Sequence, residues 1–225
     1  MLVEPPEDEA RLALDRDVAD AVAARIAAGP RPGPDADAIA LRALLADTPT
    51  AARASVRALL GRIEAASAPP LTVHGPLSES LAADRFGLTF TRAADPLDAL
   101  KAARTGRALI DIAAGTWWGR LLATPELRVV AALPDDRHGR PHALLVAPSQ
   151  PGPTGDDRTF WITDSPASDA RIIAALSDAG LAASPLAATG GLKLFALAGY
   201  VQAEDPRLAS APGALNGVIG AAPVY

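Results

Sequence analysis

The period of the apolar residues changes once along this chain, at Ala68-Pro69-Pro70, and that change constrains the fold more than any motif does. Before it, Leu14, Val18, Val22 and Ile26 recur every four residues and form one stripe of an amphipathic helix over 9–28. Gly29-Pro30-Arg31-Pro32-Gly33-Pro34 ends that helix, because proline lacks the amide hydrogen a helix interior requires. Asp35 or Asp37 can cap a second helix running to about Ala46, with Ile39, Leu41, Leu44 and Leu45 as its apolar positions. Thr48-Pro49-Thr50 interrupts the pattern. A third helix fits 50–66, with Val56, Leu59, Leu60 and Ile63 facing inward.

Beyond Pro70 the apolar runs shorten to strand length: Leu71–Val73, Leu88–Thr91, Ala108–Ile112, Leu127–Leu133 and Ala143–Val146. Helix-like stretches at 77–86, 96–104 and 116–123 separate the first four. Alternating strand and helix predicts right-handed βαβ units and a largely parallel sheet. Pro148–Asp157 is polar, rich in Pro and Gly, and reads as a linker. After it come a strand (Thr159–Thr163), a helix (Ala167–Ala179), two strands (Leu181–Leu186 and Leu192–Leu197) around Gly190-Gly191, a short helix near Asp205–Ala211 and a strand near Gly217–Ala221. Gly180 stands where a helix C-terminus needs a left-handed residue. This order is the split βαβ, ferredoxin-like arrangement. The chain therefore reads as a multidomain α+β protein: a helical segment at 1–68, a small parallel α/β lobe at 69–150 and a βαββαβ domain at 151–225.

Composition removes several classes of function. Hydrophobic residues make up 49% of the 225 residues, enough for a sizeable core. The net charge of −5 argues against a nucleic-acid surface. The absence of cysteine excludes disulfides, a thiolate nucleophile and zinc–sulfur ligation. Only Lys101 and Lys193 of the 21 basic residues are lysine, so any single arginine is weak evidence of a site. The opening stretch Met1–Glu9 is acidic, with no basic or apolar leader region, and the longest apolar stretches, such as Leu194–Val201, are too short for a bilayer. A cytoplasmic protein without membrane or nucleic-acid partners is the expectation.

Taken in order, the Arg-bearing first helix, the strand–turn–helix start at Leu71-Thr72-Val73-His74-Gly75-Pro76-Leu77-Ser78-Glu79-Ser80 and the βαββαβ tail resemble a chorismate mutase fused to a shortened prephenate-dehydratase-like region with an ACT-like tail. The resemblance implies an interlocked homodimer whose first helix supplies substrate-binding arginines. Chorismate is a dianion, so such a site must clamp two carboxylates and stabilise charge growing on an ether oxygen, which bidentate arginines do well. Arg25 matches a family arginine, with Leu14-Asp15 correctly spaced before it. The earlier arginine falls on Asp8, one turn before Arg11, which can substitute for it. The acidic residue opening the second helix corresponds to Asp37 or Asp35. The loop lysine has no counterpart, and Ser67 stands where an amide donor belongs. The resemblance thus implies catalytic Arg25 and Asp37, substrate-binding Arg11 and Arg25, no cofactor and no metal, and a chorismate-to-prephenate activity that is weak or lost. Dehydratase activity is not expected. The family's Thr-Arg-Phe triplet is absent, Arg158-Thr159-Phe160 having the same residues in another order, and most of a second lobe is missing. Ser165-Pro166-Ala167-Ser168 replaces the Gly-Ala-Leu stretch that binds phenylalanine in regulated relatives.

Plainer readings stand beside these. Arg25 suits a salt-bridged arginine, Arg16 can pair with Asp20, and Asp35 and Asp37 suit helix caps. His138 and His142 fit a surface loop because Gly139 and Pro141 break any helix between them. His74 fits a turn, Ser78 and Ser80 fit caps of the following helix, and Trp117-Trp118 fits core plus interface. The alternative function is a non-catalytic regulatory or small-ligand-binding dimer that uses the ACT-like tail.

Overall fold

The computed structural model describes residues 8–29 and 34–225. The breaker Pro30-Arg31-Pro32-Gly33 and most of the acidic opening stretch lie outside the described residues. Three helices come first: α1 (Glu9–Ala28), α2 (Pro34–Asp47) and α3 (Thr50–Ala65). Then follow β1 (Leu71–His74), α4 (Pro76–Phe86), β2 (Thr91–Arg92), α5 (Pro96–Ala103), β3 (Arg107–Asp111), a 3-10 turn (Trp117–Ala123), β4 (Arg128–Leu133) and β5 (Ala143–Ala147). The tail comprises β6 (Asp157–Thr163), α6 (Asp169–Asp178), β7 (Ala183–Thr189), β8 (Leu192–Ala198), a 3-10 turn (Pro206–Leu208) and β9 (Asn216–Pro223).

Local chemistry explains most boundaries. Asp8 caps α1 by accepting the Ala10 amide at 3.0 Å, and Asp95 caps α5 by accepting those of Leu97 and Asp98. Asp35 and Asp37 are not caps; they lie inside the first turn of α2, where acidic groups complement the positive end of the helix dipole. Gly180, with φ of 78°, follows α6 as expected. Ser78 and Ser80 lie within α4 rather than before it.

All nine strands belong to one sheet, in the order β2-β1-β3-β5-β4-β9-β6-β8-β7. Only β2, β1 and β3 are mutually parallel in the middle region. The largely parallel lobe expected there is corrected by β5, which runs antiparallel to both β3 and β4. The cause is local: no helix separates β4 from β5, and a direct return produces an antiparallel neighbour. The strand expected at Leu88–Thr91 shrinks to β2, leaving Leu88 82% exposed, and the helix expected at 116–123 is the 3-10 turn. The tail strands are antiparallel throughout in the order β9-β6-β8-β7, the split βαβ arrangement. β9 joins the two regions, pairing antiparallel with β6 and parallel with β4 at Val129↔Gly220. Gly220 has φ of 139°, and a Cβ there would meet the backbone of Val129. Glycine is what lets the two strands approach.

The two faces of this sheet are covered differently. One carries a continuous core: Ala108, Ile110, Leu144, Val146, Val129, Phe160, Ile162 and Leu194 pack with α5 and with Trp117, Trp118 and Leu121. The opposite face carries two cores. Leu71, Val73, Leu109, Leu133 and Leu145 meet Ala82 of α4, while Trp161, Phe195 and Leu197 meet Ile172 and Leu176 of α6. The three N-terminal helices bury Ala21, Leu41, Leu45, Ala52, Val56 and Leu60 among themselves.

Polar contacts dock these helices on the second face. The Arg42 guanidinium donates to the backbone carbonyls of Val224, Thr154 and Asp156 and to the Thr154 hydroxyl. Asp135, almost fully buried, accepts Arg57 and Arg85, each at 3.1 Å. Gly61 of α3 lies directly against the backbone of Arg85 at the end of α4. Among the described residues no helix is long and apolar enough to cross a membrane.

Candidate functional site

Arg25 and Asp37 are brought together, but as an ion pair. Arg25 Nη2 donates to Asp37 Oδ1 at 2.6 Å and to Glu64 Oε1 at 3.4 Å, and Nη1 donates to the Gly29 carbonyl at 2.7 Å. The Arg25 side chain is only 10% exposed, and its Nε is buried without a partner among the described residues. The cluster ties the end of α1 to the start of α2 and the end of α3. Burial raises the pKa of Glu64 above the ordinary 4.5, against the pull of Arg85 and Arg25. Arg11 is exposed near the other end of α1. It stands fourteen positions before Arg25, about 21 Å along the axis, so the two do not converge within one chain. Arg16 donates to the Leu12 carbonyl rather than to Asp20, and Ser67 Oγ to the Glu64 carbonyl.

The strand–turn–helix start is closed by its own neighbour. Asp111, at the end of β3, accepts the Ser78 amide and hydroxyl at 2.6 Å each and the Leu77 amide at 3.3 Å. Gly75, with φ of 106°, lies against that carboxyl. The amide groups that would meet a ligand at the start of α4 therefore already hold an internal anion. His74 Nδ1 lies 3.2 Å from the Ala93 carbonyl. Trp117 and Trp118 are both core, with indole N–H groups on the carbonyls of Asp111 and Ile112. His138 and His142 are exposed, and no group of metal-ligating residues is found among the described residues.

A cavity of about 600 Å³ opens between the cores of α4 and α6, on the face roofed by α2 and α3. Its floor is the middle of the sheet: Val130 and Ala131 of β4, Leu145 and Ala147 of β5, and Ala221 of β9. Leu41 and Ala38 of α2 face it, and the Tyr225 ring closes one side. Burial raises the Tyr225 pKa well above the ordinary phenol value of 10, which keeps the hydroxyl neutral. Most of the charges on this wall are already engaged. Arg85 is held by Asp135, Arg104 lies 3.4 Å from Glu126, and Asp37 and Glu64 are held by Arg25. Asp35 accepts the Gly152 amide, and Asp157 accepts the amide and hydroxyl of Thr154.

Arg107 is different. Among the described residues it makes no ion pair. Its Nε donates to the Pro69 carbonyl at 3.1 Å, and its guanidinium lies 5.6 Å from the centre of the Phe86 ring. Burial lowers its pKa, with the Glu64 charge pulling the other way. The site expected from sequence did not include it. The signal was period two: Arg107, Leu109 and Asp111 share one face of β3, so a charged residue lay in phase with buried positions.

No family model matches the chain, and no curated protein matches it at the significance required. Two solved structures are similar. One is GqqA, described as a novel type of quorum quenching acylase: 17% identity, TM-score 0.45, covering 69% of this chain and 95% of that one. The other is a prephenate dehydratase from Arthrobacter aurescens in complex with L-Phe: 14% identity, TM-score 0.39, covering 68% of this chain and 90% of that one. At these values the likeness carries neither activity nor ligand to this chain. Its own geometry defines a mixed α/β protein with a cavity on the sheet face roofed by α2 and α3.

Proposed function

We propose that this chain is a non-catalytic small-ligand-binding protein whose ligand occupies the cavity between the α2–α3 roof and the sheet. The observation that carries this is the state of Arg25. A mutase-like site needs that guanidinium free to hold substrate carboxylates, and here two protein carboxylates and a carbonyl occupy it. Displacing Asp37 and Glu64 would leave two carboxylates without their cation, a cost that opposes substrate binding. The cavity has the size and apolar floor of a small-molecule site, with most of the charges on its wall already paired. The division into a helical segment (1–68), an α/β lobe (69–150) and an ACT-like tail (151–225) belongs to this proposal, as does a homodimer. The dimer is supported by Leu12, Ile26, Ile39, Leu59 and Ile63, all exposed on the helical layer. A light-scattering mass of one chain at micromolar concentration overturns it.

The alternative is a weak chorismate mutase in which Arg25 leaves its partners to bind substrate while Asp37 orders the site, with Arg11 supplied by a second chain. It is supported by the juxtaposition of Arg25 and Asp37 at 2.6 Å. A spectrophotometric chorismate-loss assay separates the two. The binding-protein reading expects no loss above the spontaneous rate, and no conversion of prephenate to phenylpyruvate. Turnover proportional to protein and abolished by Arg25→Ala establishes the mutase instead.

A further inference from the structure

We infer that the cavity takes a small organic carboxylate with an apolar body, its carboxylate on Arg107 and its body over Val130, Ala131 and Leu145. The inference rests on the cavity being a ligand site. A partly buried guanidinium without a counter-ion is costly, because lost hydration is not replaced. The other arginines of the wall have acidic partners, and Arg107 alone among them has none within the described residues. Glu64, whose charge acts on Arg107, is paired with Arg25. The Pro69 carbonyl and the Phe86 ring hold the Arg107 guanidinium in place at the cavity's rim, Phe86 itself lining the adjoining groove, so a ligand reaching that rim need not order it. A fixed planar fork matches a carboxylate bidentately.

Arg107 lies on β3, whereas Asp157 lies on β6, four strands away or about 19 Å. An anion at the β3 end is therefore far from Asp157, while Asp37 and Glu64 of the same wall are held by Arg25 and Asp35 by the Gly152 amide, and the floor between is apolar. One guanidinium with one hydrogen bond already committed suits a single carboxylate better than a phosphate dianion.

The test uses the full chain, with 3-phenylpropionate and its neutral isostere 3-phenylpropionamide as probes, each titrated by calorimetry and ligand-observed NMR. The acid is expected to bind and the amide not. Arg107→Met should weaken the acid roughly ten- to a hundredfold, the range for one charged hydrogen-bonding partner. Arg107→Lys, which keeps the charge and loses the fork, should restore part of that loss. Ala131→Phe fills the floor with Arg107 intact and should abolish binding; near-UV circular dichroism checks that each variant is folded. An amide that binds as well as the acid, indifferent to Arg107→Met but lost in Ala131→Phe, overturns the carboxylate assignment and leaves the cavity as a ligand site. Inorganic phosphate displacing the acid at equal concentration overturns it too. Binding of neither probe, or acid binding that survives both variants, overturns the inference and the cavity reading together.

Discussion

On one face of the sheet, Trp117, Trp118 and Leu121 close the centre with side chains; on the other, α4 and α6 cover the ends and leave the centre to a cavity. The strands are the same, so the difference lies in what crosses above them. The closed face is covered by α5 and by the 3-10 turn between β3 and β4, which pack directly against it. The open face is roofed by helices from before the first strand, which pack on the end of α4 at Gly61 and are tied to the sheet by the guanidinium contacts of Arg42 and Arg57. Anchored at these places, the roof leaves the sheet's centre uncovered.

The comparison can be broken first at the closed face. Trp118→Ala should destabilise the protein by about 3–5 kcal/mol, since a fully buried indole is replaced by a void. Urea denaturation with an unchanged slope checks it, and a loss below about 1 kcal/mol would mean that face is not the structural core. Next comes the joint between the two halves. Gly220→Ala places a methyl group against the Val129 backbone at a strained φ and should cost about 1–3 kcal/mol. Hydrogen exchange should report the loss first in β4 and β9. Adjacent residues then sharpen the contrast. Ala132→Leu, on the closed face, should destabilise by about 1–3 kcal/mol, while Ala131→Leu, on the cavity floor, should be neutral or stabilising by about 0.5–1 kcal/mol. Equal losses from both would erase the distinction.

The smallest effect concerns pH. Glu64 binds its proton more tightly in the folded state, so stability falls as pH rises from 4.5 through the raised value. Glu64 is 40% exposed, so solvent screens much of this, and the fall should be slight. Glu64→Gln should flatten the stability profile across that window. A steeper fall in the variant would reverse the assignment.

The sequence pattern located the elements better than their partners. Of the stripe Leu14-Val18-Val22-Ile26 the first three face the helical core, whereas Ile26, and on α3 Leu59 and Ile63, whose spacing also predicts an inward face, are exposed; the tail's order matches its strand arrangement. Leu88–Thr91 misled because an apolar run reads alike in a strand and in an exposed turn. The direction of β5 was hidden because strand direction depends on how the chain returns, not on the residues within the strand. The same limit applied to the site. Arg25 and Asp37 are 12 positions apart, and their meeting is legible only through the packing of α1 on α2. Arg107 was one of many arginines, and its lack of an acidic partner is a property of the folded wall alone.

β9 carries a consequence for synthesis. β4 and β6 are neighbours only through it, so the sheet cannot become continuous until a strand made long after β4 has left the ribosome. Until then β4 presents a free row of backbone donors and acceptors on an apolar strand, the kind of edge that recruits other chains. Shortening the chain before β9 should therefore yield insoluble material rather than a smaller folded protein.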